Sequence, residues 1–246
     1  ACHLTRLAAA TVATPPRYRP LTFGVTRVNV CGDHGGVQYL TADVPLQGFG
    51  ERMSDRLIHW AKTTPDETFI AQRERLPDGQ LGDWRRVSYA QALDTARRIG
   101  QALLDRGLSP ERPVVILSDN GIDHALLALG CIYVGVPFSP ASPAYSTVSK
   151  DYGKLRHVID TLTPGLIWAE DGDRYGPALA ATAPADAEIM VSRHVDHAQL
   201  KGRPATLLAD LLATTPTPAV DAAQAATGPD TIVKFLFTSG STKLPK

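Results

Sequence analysis

The sequence predicts an α/β fold: a mostly parallel sheet flanked by helices, with a β-hairpin near the N-terminus. Three observations point there. Short, almost purely aliphatic runs such as Pro113 to Ser118 suit strands covered on both faces. Amphipathic stretches at helical spacing separate them, and strands alternating with helices argue for a parallel sheet. Near the start, two apolar segments flank the turn residues Asp33-His34-Gly35-Gly36.

Taken in order, residues 1 to 20 are expected to be a disordered lead ending in Thr14-Pro-Pro-Arg-Tyr-Arg-Pro20. The hairpin pairs Gly24 to Val30 with Val37 to Leu40. Glu51 to Lys62 sets Met53, Leu57, Ile58 and Trp60 among charges in a loosely helical pattern that Pro65 stops. Strands follow at Thr68 to Arg73 and Asp83 to Tyr89 around the turn signal Pro77-Asp-Gly. From Tyr89, Ala92, Ala96, Ile99 and Leu103 recur on one helical face, and Gly107 is a natural C-terminal stop. Asp119 and Asn120 can cap a helix from Ile122 to Val134. A helix from about Ser149 to Leu162, a strand Gly165 to Ala169, a short helix near Tyr175 to Ala181 and a strand Glu188 to Val191 continue the alternation. Pro204 to Leu212 is expected to be helical, Thr214 to Gly228 to be a surface connection, and Ile232 to Phe237 to be a final strand.

The 246 residues include 25 Lys plus Arg and 25 Asp plus Glu, so no net field attracts nucleic acid or an anionic membrane. No apolar run is long enough to span a bilayer. Cys2, Cys31 and Cys131 are odd in number and widely spaced, which suits neither a disulfide framework nor a zinc site and predicts a reducing, cytoplasmic setting. The start, lacking Met and any acid before Asp33, has the flavour of an organelle presequence, but a frayed tail or a truncated reading frame has it too, and either is preferred to targeting.

The richest stretch is Thr238-Ser239-Gly240-Ser241-Thr242-Lys243-Leu244-Pro245-Lys246, directly after the last apolar run. A polyphosphate is held by many donors that need no rearrangement. Backbone N–H groups at a glycine turn, Ser and Thr hydroxyls and a Lys charge supply them. Gly240 suits close backbone approach, and Pro245 restricts Leu244 to extended geometry and so limits where Lys246 can point. It is not a Walker loop, since no Gly-Lys-Ser/Thr triplet stands at the required spacing. The competing reading is an ordinary solvated turn.

Residues 235 to 246 resemble the phosphate-loop signature of the adenylate-forming superfamily, which includes acyl-CoA synthetases. The resemblance extends upstream through Arg52 to Asp66, Trp84 to Leu93 and Gln101 to Leu108. Ser118 to Leu127, Pro140 to Tyr145 and Asp151 to Arg156 resemble the feruloyl-CoA synthase branch. Lys243 departs from the family, which most often has Gly there.

The resemblance implies that residues 21 to 246 are a partial AMP-binding N-terminal domain ending at the phosphate loop. It implies ATP, Mg2+ and coenzyme A as reactants, a small-molecule carboxylic acid such as ferulate as substrate, and Thr238, Ser239, Gly240, Ser241, Thr242 and Lys246 as nucleotide-binding residues. Catalytic motifs of the family lie downstream, so the chain alone is expected not to turn over. Homo-oligomerisation is left open.

Other constellations are weaker. His194 and His197 stand three apart but lack a completing ligand set beyond Asp196. His34 is expected to be a turn residue, His124 and His157 partly buried structural histidines, and the tryptophans packing residues. Two other classes stay open: an interaction module, which would unfold cooperatively on its own, and a kinase-like phosphotransferase, which needs an acidic magnesium ligand near the loop.

Overall fold

The computed structural model describes residues 27–45, 48–76, 79–195, 200–238 and 244–246. The expected lead, residues 1–20, lies outside them. The chain divides into two units, Ala1–Phe49 and Gly50–Lys246.

In the first unit, β1 (Val28–His34) pairs antiparallel with β2 (Val37–Ala42). Gly35 and Gly36 take φ of 74° and 83°, a conformation that L side chains resist, which is why this turn carries two glycines. Cys31 is disulfide-bonded and Cys131 is a free, buried thiol. That bond corrects the expectation of unpaired cysteines and removes the support they gave to a reducing compartment.

The second unit opens with α1 (Asp55–Thr63) and an antiparallel ribbon of β3 (Thr68–Arg75) and β4 (Leu81–Ser88). Ser88 then starts α2 (Tyr89–Asp105) through a complete capping box with Gln91. The alternating part follows: β5 (Val114–Leu117), α3 (Ile122–Val134), β6 (Phe138–Pro140), α4 (Ala144–Thr147), α5 (Gly153–Leu162), β7 (Leu166–Ala169), α6 (Gly172–Thr182), β8 (Glu188–Val191), β9 (Thr206–Leu207), α7 (Leu208–Leu212) and α8 (Pro218–Ala226). Strands β5 to β9 form one parallel sheet in the order β6-β5-β7-β8-β9. The predicted α/β class is therefore observed.

Period-two alternation sorts side chains to the two faces. Val114, Ile116, Leu166, Trp168 and Met190 pack into one core with α2 and α3, whereas Val115, Leu117, Ile167, Ala169 and Val191 pack into the other with α5 and α6. Burial on both faces explains why these strands contain no polar alternation. Trp168 is fully buried, as expected of a packing residue, but Trp60 and Trp84 are exposed. Among the described residues no helix is long and apolar enough to cross a membrane.

Four local expectations are corrected. Helix α3 is not capped by Asp119 or Asn120; Gly121 is its N-cap, and the Ile122 amide donates to Gln72 Oε1 at 3.2 Å, from a residue 50 positions earlier. Helix α5 starts at Gly153, because Ser149 and Asp151 accept the amides of Tyr152 and Gly153 and hold a turn there. Thr214 to Gly228 contains α8, capped by Thr217 with Pro218 in its first turn and fastened by Asp221, which accepts from Arg97 and from Tyr133. Finally, residues 232–237 form one parallel bridge, Phe138 to Lys234, rather than a strand. Their partner β6 is three residues long and ends at Pro140, which has no N–H to extend a ladder.

Candidate active site

The sheet reverses direction of winding between β5 and β7, and in open parallel sheets ligands bind beyond the carboxyl ends of strands near such a point. A cavity of about 330 Å3 opens there, lined by Ser118, Asn120, His124 and Pro140 among others. Ser118 Oγ and His124 Nδ1 lie 2.9 Å apart, and the imidazole stands edge-on to Trp168. Burial pushes the His124 pKa below its ordinary value, which favours the neutral ring. Neither Thr238 nor Lys246 lines this cavity.

The segment leading into the predicted loop lies against the edge strand β6 of the same sheet. Phe138 donates to Val233 O at 3.2 Å, Phe235 donates to Phe138 O at 3.0 Å, and the buried Ser139 hydroxyl donates to Phe235 O at 2.9 Å. These bonds run the segment parallel to β6, so it delivers Thr238 toward the carboxyl end of the sheet.

There the two ends of the loop meet. Thr238 N and Thr238 Oγ1 both donate to Lys246 O, at 2.8 and 3.1 Å. Pro245 is buried while Leu244 and Lys246 are exposed, so a fixed residue carries an ammonium into solvent. Ser239, Gly240, Ser241, Thr242 and the variant Lys243 lie outside the described residues. The structure thus brings Thr238 and Lys246 together, and both Thr238 donors are engaged in closing the loop. His157, read from sequence as a structural histidine, contacts this region: its Nε2 is 2.9 Å from Pro245 O and its ring stands edge-on to Phe237. No local signal marks that contact, because 88 positions separate the partners.

A metal site at His194 and His197 finds no support from His197, which lies outside the described residues. Among the described residues, Asp171, Asp173 and His194 bring three potential ligand atoms within 4.8 Å of one another. The group fits a cation poorly, because Asp171 already accepts from Arg193 Nε at 2.8 Å and from the amides of Asp173 and Arg174 as N-cap of α6. No reaction step is assigned to a metal there. Burial works to raise the Asp171 pKa, but bonds from Arg193, His194 and the α6 amides outweigh it and hold the carboxyl at about 2.

Its charge therefore stabilises the fold fully above the ordinary carboxylate range, and that contribution is lost as pH falls through about 2. Asp171→Asn keeps a capping side chain and removes only the charge. It is expected to lower stability by about 2 kcal/mol at neutral pH. Denaturant unfolding of the two proteins should converge as pH falls from the ordinary carboxylate range toward about 2; a difference independent of pH would refute the assignment.

The family model for AMP-binding enzymes matches residues 57–246, most of the chain and the loop with it. The chain belongs to this family. Its similar proteins include a fatty acid–[acyl-carrier-protein] ligase, ScoC, from Streptomyces coeruleorubidus, 28% identical over 194 residues, covering 78% of this chain and 34% of the relative. A salicylyl-CoA synthase / salicylate adenylyltransferase from a Streptomyces species is 26% identical over 201 residues, covering 80% and 34%. The chain thus spans about a third of the length of these curated relatives. Among solved structures, a benzoate CoA ligase from Burkholderia xenovorans LB400 superposes with a TM-score of 0.55 at 21% identity, covering 76% of this chain and 32% of that one. VinN superposes with a TM-score of 0.54 at 22% identity, covering 80% and 43%. These likenesses agree with the fold of an AMP-binding family member.

Proposed function

We propose that this chain is the front part of an ATP-dependent acid–thiol ligase, with residues 21 to 246 forming a partial N-terminal AMP-binding domain. The acid's carboxylate attacks the α-phosphorus of ATP, pyrophosphate leaves, and the thiol of coenzyme A then displaces AMP from the acyl adenylate. The observation that carries this reading is the closed loop at the sheet edge, whose ends are joined through Thr238 and Lys246 within the family match. In nucleotidyl transfer the protein contributes positioning and charge stabilisation. Lys246 would face the charge that builds on the leaving pyrophosphate, with Ser239, Gly240, Ser241 and Thr242 supplying further donors and Thr238 holding the loop shut. Mg2+ would enter with the nucleotide, and its ligands are sought downstream of Lys246.

For the acid we propose a hydroxycinnamate such as ferulate. Its support is the resemblance carried by Ser118 to Leu127, Pro140 to Tyr145 and Asp151 to Arg156. Relatives named for fatty acid and for salicylate define the competing substrates. Pyrophosphate release from ATP, measured with ferulate, salicylate and a long-chain fatty acid, decides among them. The 246-residue chain alone should stay at background. A protein extended through the rest of the ligase should prefer ferulate by at least about tenfold in kcat/KM, the discrimination a shaped apolar pocket supplies. Turnover by the short chain would overturn the partial-domain reading, and silence of the extended protein with all three acids would overturn the ligase.

A further inference from the structure

We infer that His157, on α5, is a positioning residue for the phosphate loop: its Nε2–H donates to Pro245 O and thereby fixes the residue that carries Lys246. The inference rests on the reading of the loop as a triphosphate holder.

Pro245 O is a carbonyl and can only accept, so a hydrogen bond at 2.9 Å requires the proton on Nε2 of the imidazole. The ring's orientation is set independently by Phe237, with centroids 6.4 Å apart and planes at 78°. One half-buried side chain thus touches both flanks of the loop, Phe237 immediately before Thr238 and Pro245 immediately before Lys246.

The anchorage has a counterpart on β6. Ser139, fully buried, binds Phe235 O and holds the approach to the loop, while Thr238 joins approach and exit through Lys246 O. The approach is pinned to the sheet by Ser139 and by the bridge to Phe138, whereas His157 holds the exit. Proline cannot donate, so at position 245 the carbonyl is the polar group by which the exit is held to α5, beside the two Thr238 bonds to Lys246 O. Loss of the bond would let the exit shift without disturbing the sheet or the apolar face of α5, where Leu155, Val158, Ile159 and Leu162 are buried. The consequence falls on nucleotide binding and spares the acid.

The test compares His157→Leu, which has no donor, with His157→Gln, whose amide N–H can reach the same carbonyl, and with Lys246→Ala as a measure of the loop itself, all in the extended enzyme. His157→Leu should lower kcat/KM for ATP about fivefold, the worth of one neutral hydrogen bond, and His157→Gln should recover most of it. KM for the acid should hold. A Leu variant with unchanged kcat/KM for ATP beside a defective Lys246→Ala overturns the role of His157 alone. If both are silent, the loop reading falls and the inference with it. Equal losses for ATP and acid, unrescued by Gln, would mark His157 as merely structural and also overturn it. Should the Leu variant not fold, imidazole 15N shifts of the unsubstituted protein decide: a proton on Nε2 is expected, and a bare Nε2 overturns the inference.

Discussion

Gly172→Ala is expected to lower the unfolding free energy by about 3 kcal/mol, although helix propensity alone would favour alanine by about 1 kcal/mol at a helical position. The steric term decides the sign. A Cβ built on Gly172 would lie 1.9 Å from His194 O, a backbone atom that cannot rotate away. Relief requires moving residues 193 and 194, and that segment is tied in several ways. Gly172 N donates to Arg193 O at 3.0 Å, Arg193 Nε donates to Asp171 Oδ2, and His194 Nδ1 stands 3.1 Å from Asp171 Oδ1. His194 itself already sits at φ of 53°, with little freedom to adjust. Urea unfolding should show a lower midpoint with an unchanged slope. Gly228→Ala, where an added Cβ meets nothing within 4 Å, is the control and should change stability by under about 0.5 kcal/mol. A Gly172→Ala protein as stable as its parent would mean that the turn after β8 is seated differently.

Elements whose stabilisation is local and apolar were legible in the sequence. The run Val114-Val115-Ile116-Leu117 announced a strand buried on both faces, and the spacing of Ala92, Ala96, Ile99 and Leu103 announced α2, because each pattern is the direct imprint of a core. Helix α8 was not, since its single buried apolar residue, Val220, leaves no periodicity. Polar contacts from distant positions hold it instead: Gln101 accepts from Thr217 N and Oγ1, and Arg97 and Tyr133 bind Asp221. The same reason hid the capping of α3 by Gln72 and the contact of His157 with Pro245. Composition around a residue says nothing about a partner fifty or ninety positions away. At the candidate site, the sequence offered Thr238 as a donor for a phosphate, but not that both its donors close onto Lys246.

That closure makes Lys246→Ala the substitution with the largest expected functional effect. The side chain is exposed and none of the described hydrogen bonds uses its ammonium, so truncation should leave folding intact; the carbonyl that Thr238 binds belongs to the backbone and survives. What disappears is one positive charge at a place fixed by a buried proline. Between unit charges about 4 Å apart, attraction at intermediate dielectric is on the order of 4 kcal/mol, and only the part that grows as pyrophosphate departs accelerates the reaction. Removing one such preorganised partner typically costs about a hundredfold, and kcat/KM for ATP in the extended enzyme should fall by that order while the thermal midpoint stays put. Thr238→Val, which deletes one of two bonds to Lys246 O and keeps the amide, should fall only about fivefold, the scale of a single neutral hydrogen bond. The ordering separates the two roles, since a charge acting on the phosphates must matter more than one strand of the loop's closure. Lys246→Ala turning over within about twofold of the parent enzyme, at any ATP concentration, would show that the ammonium does not meet the departing pyrophosphate.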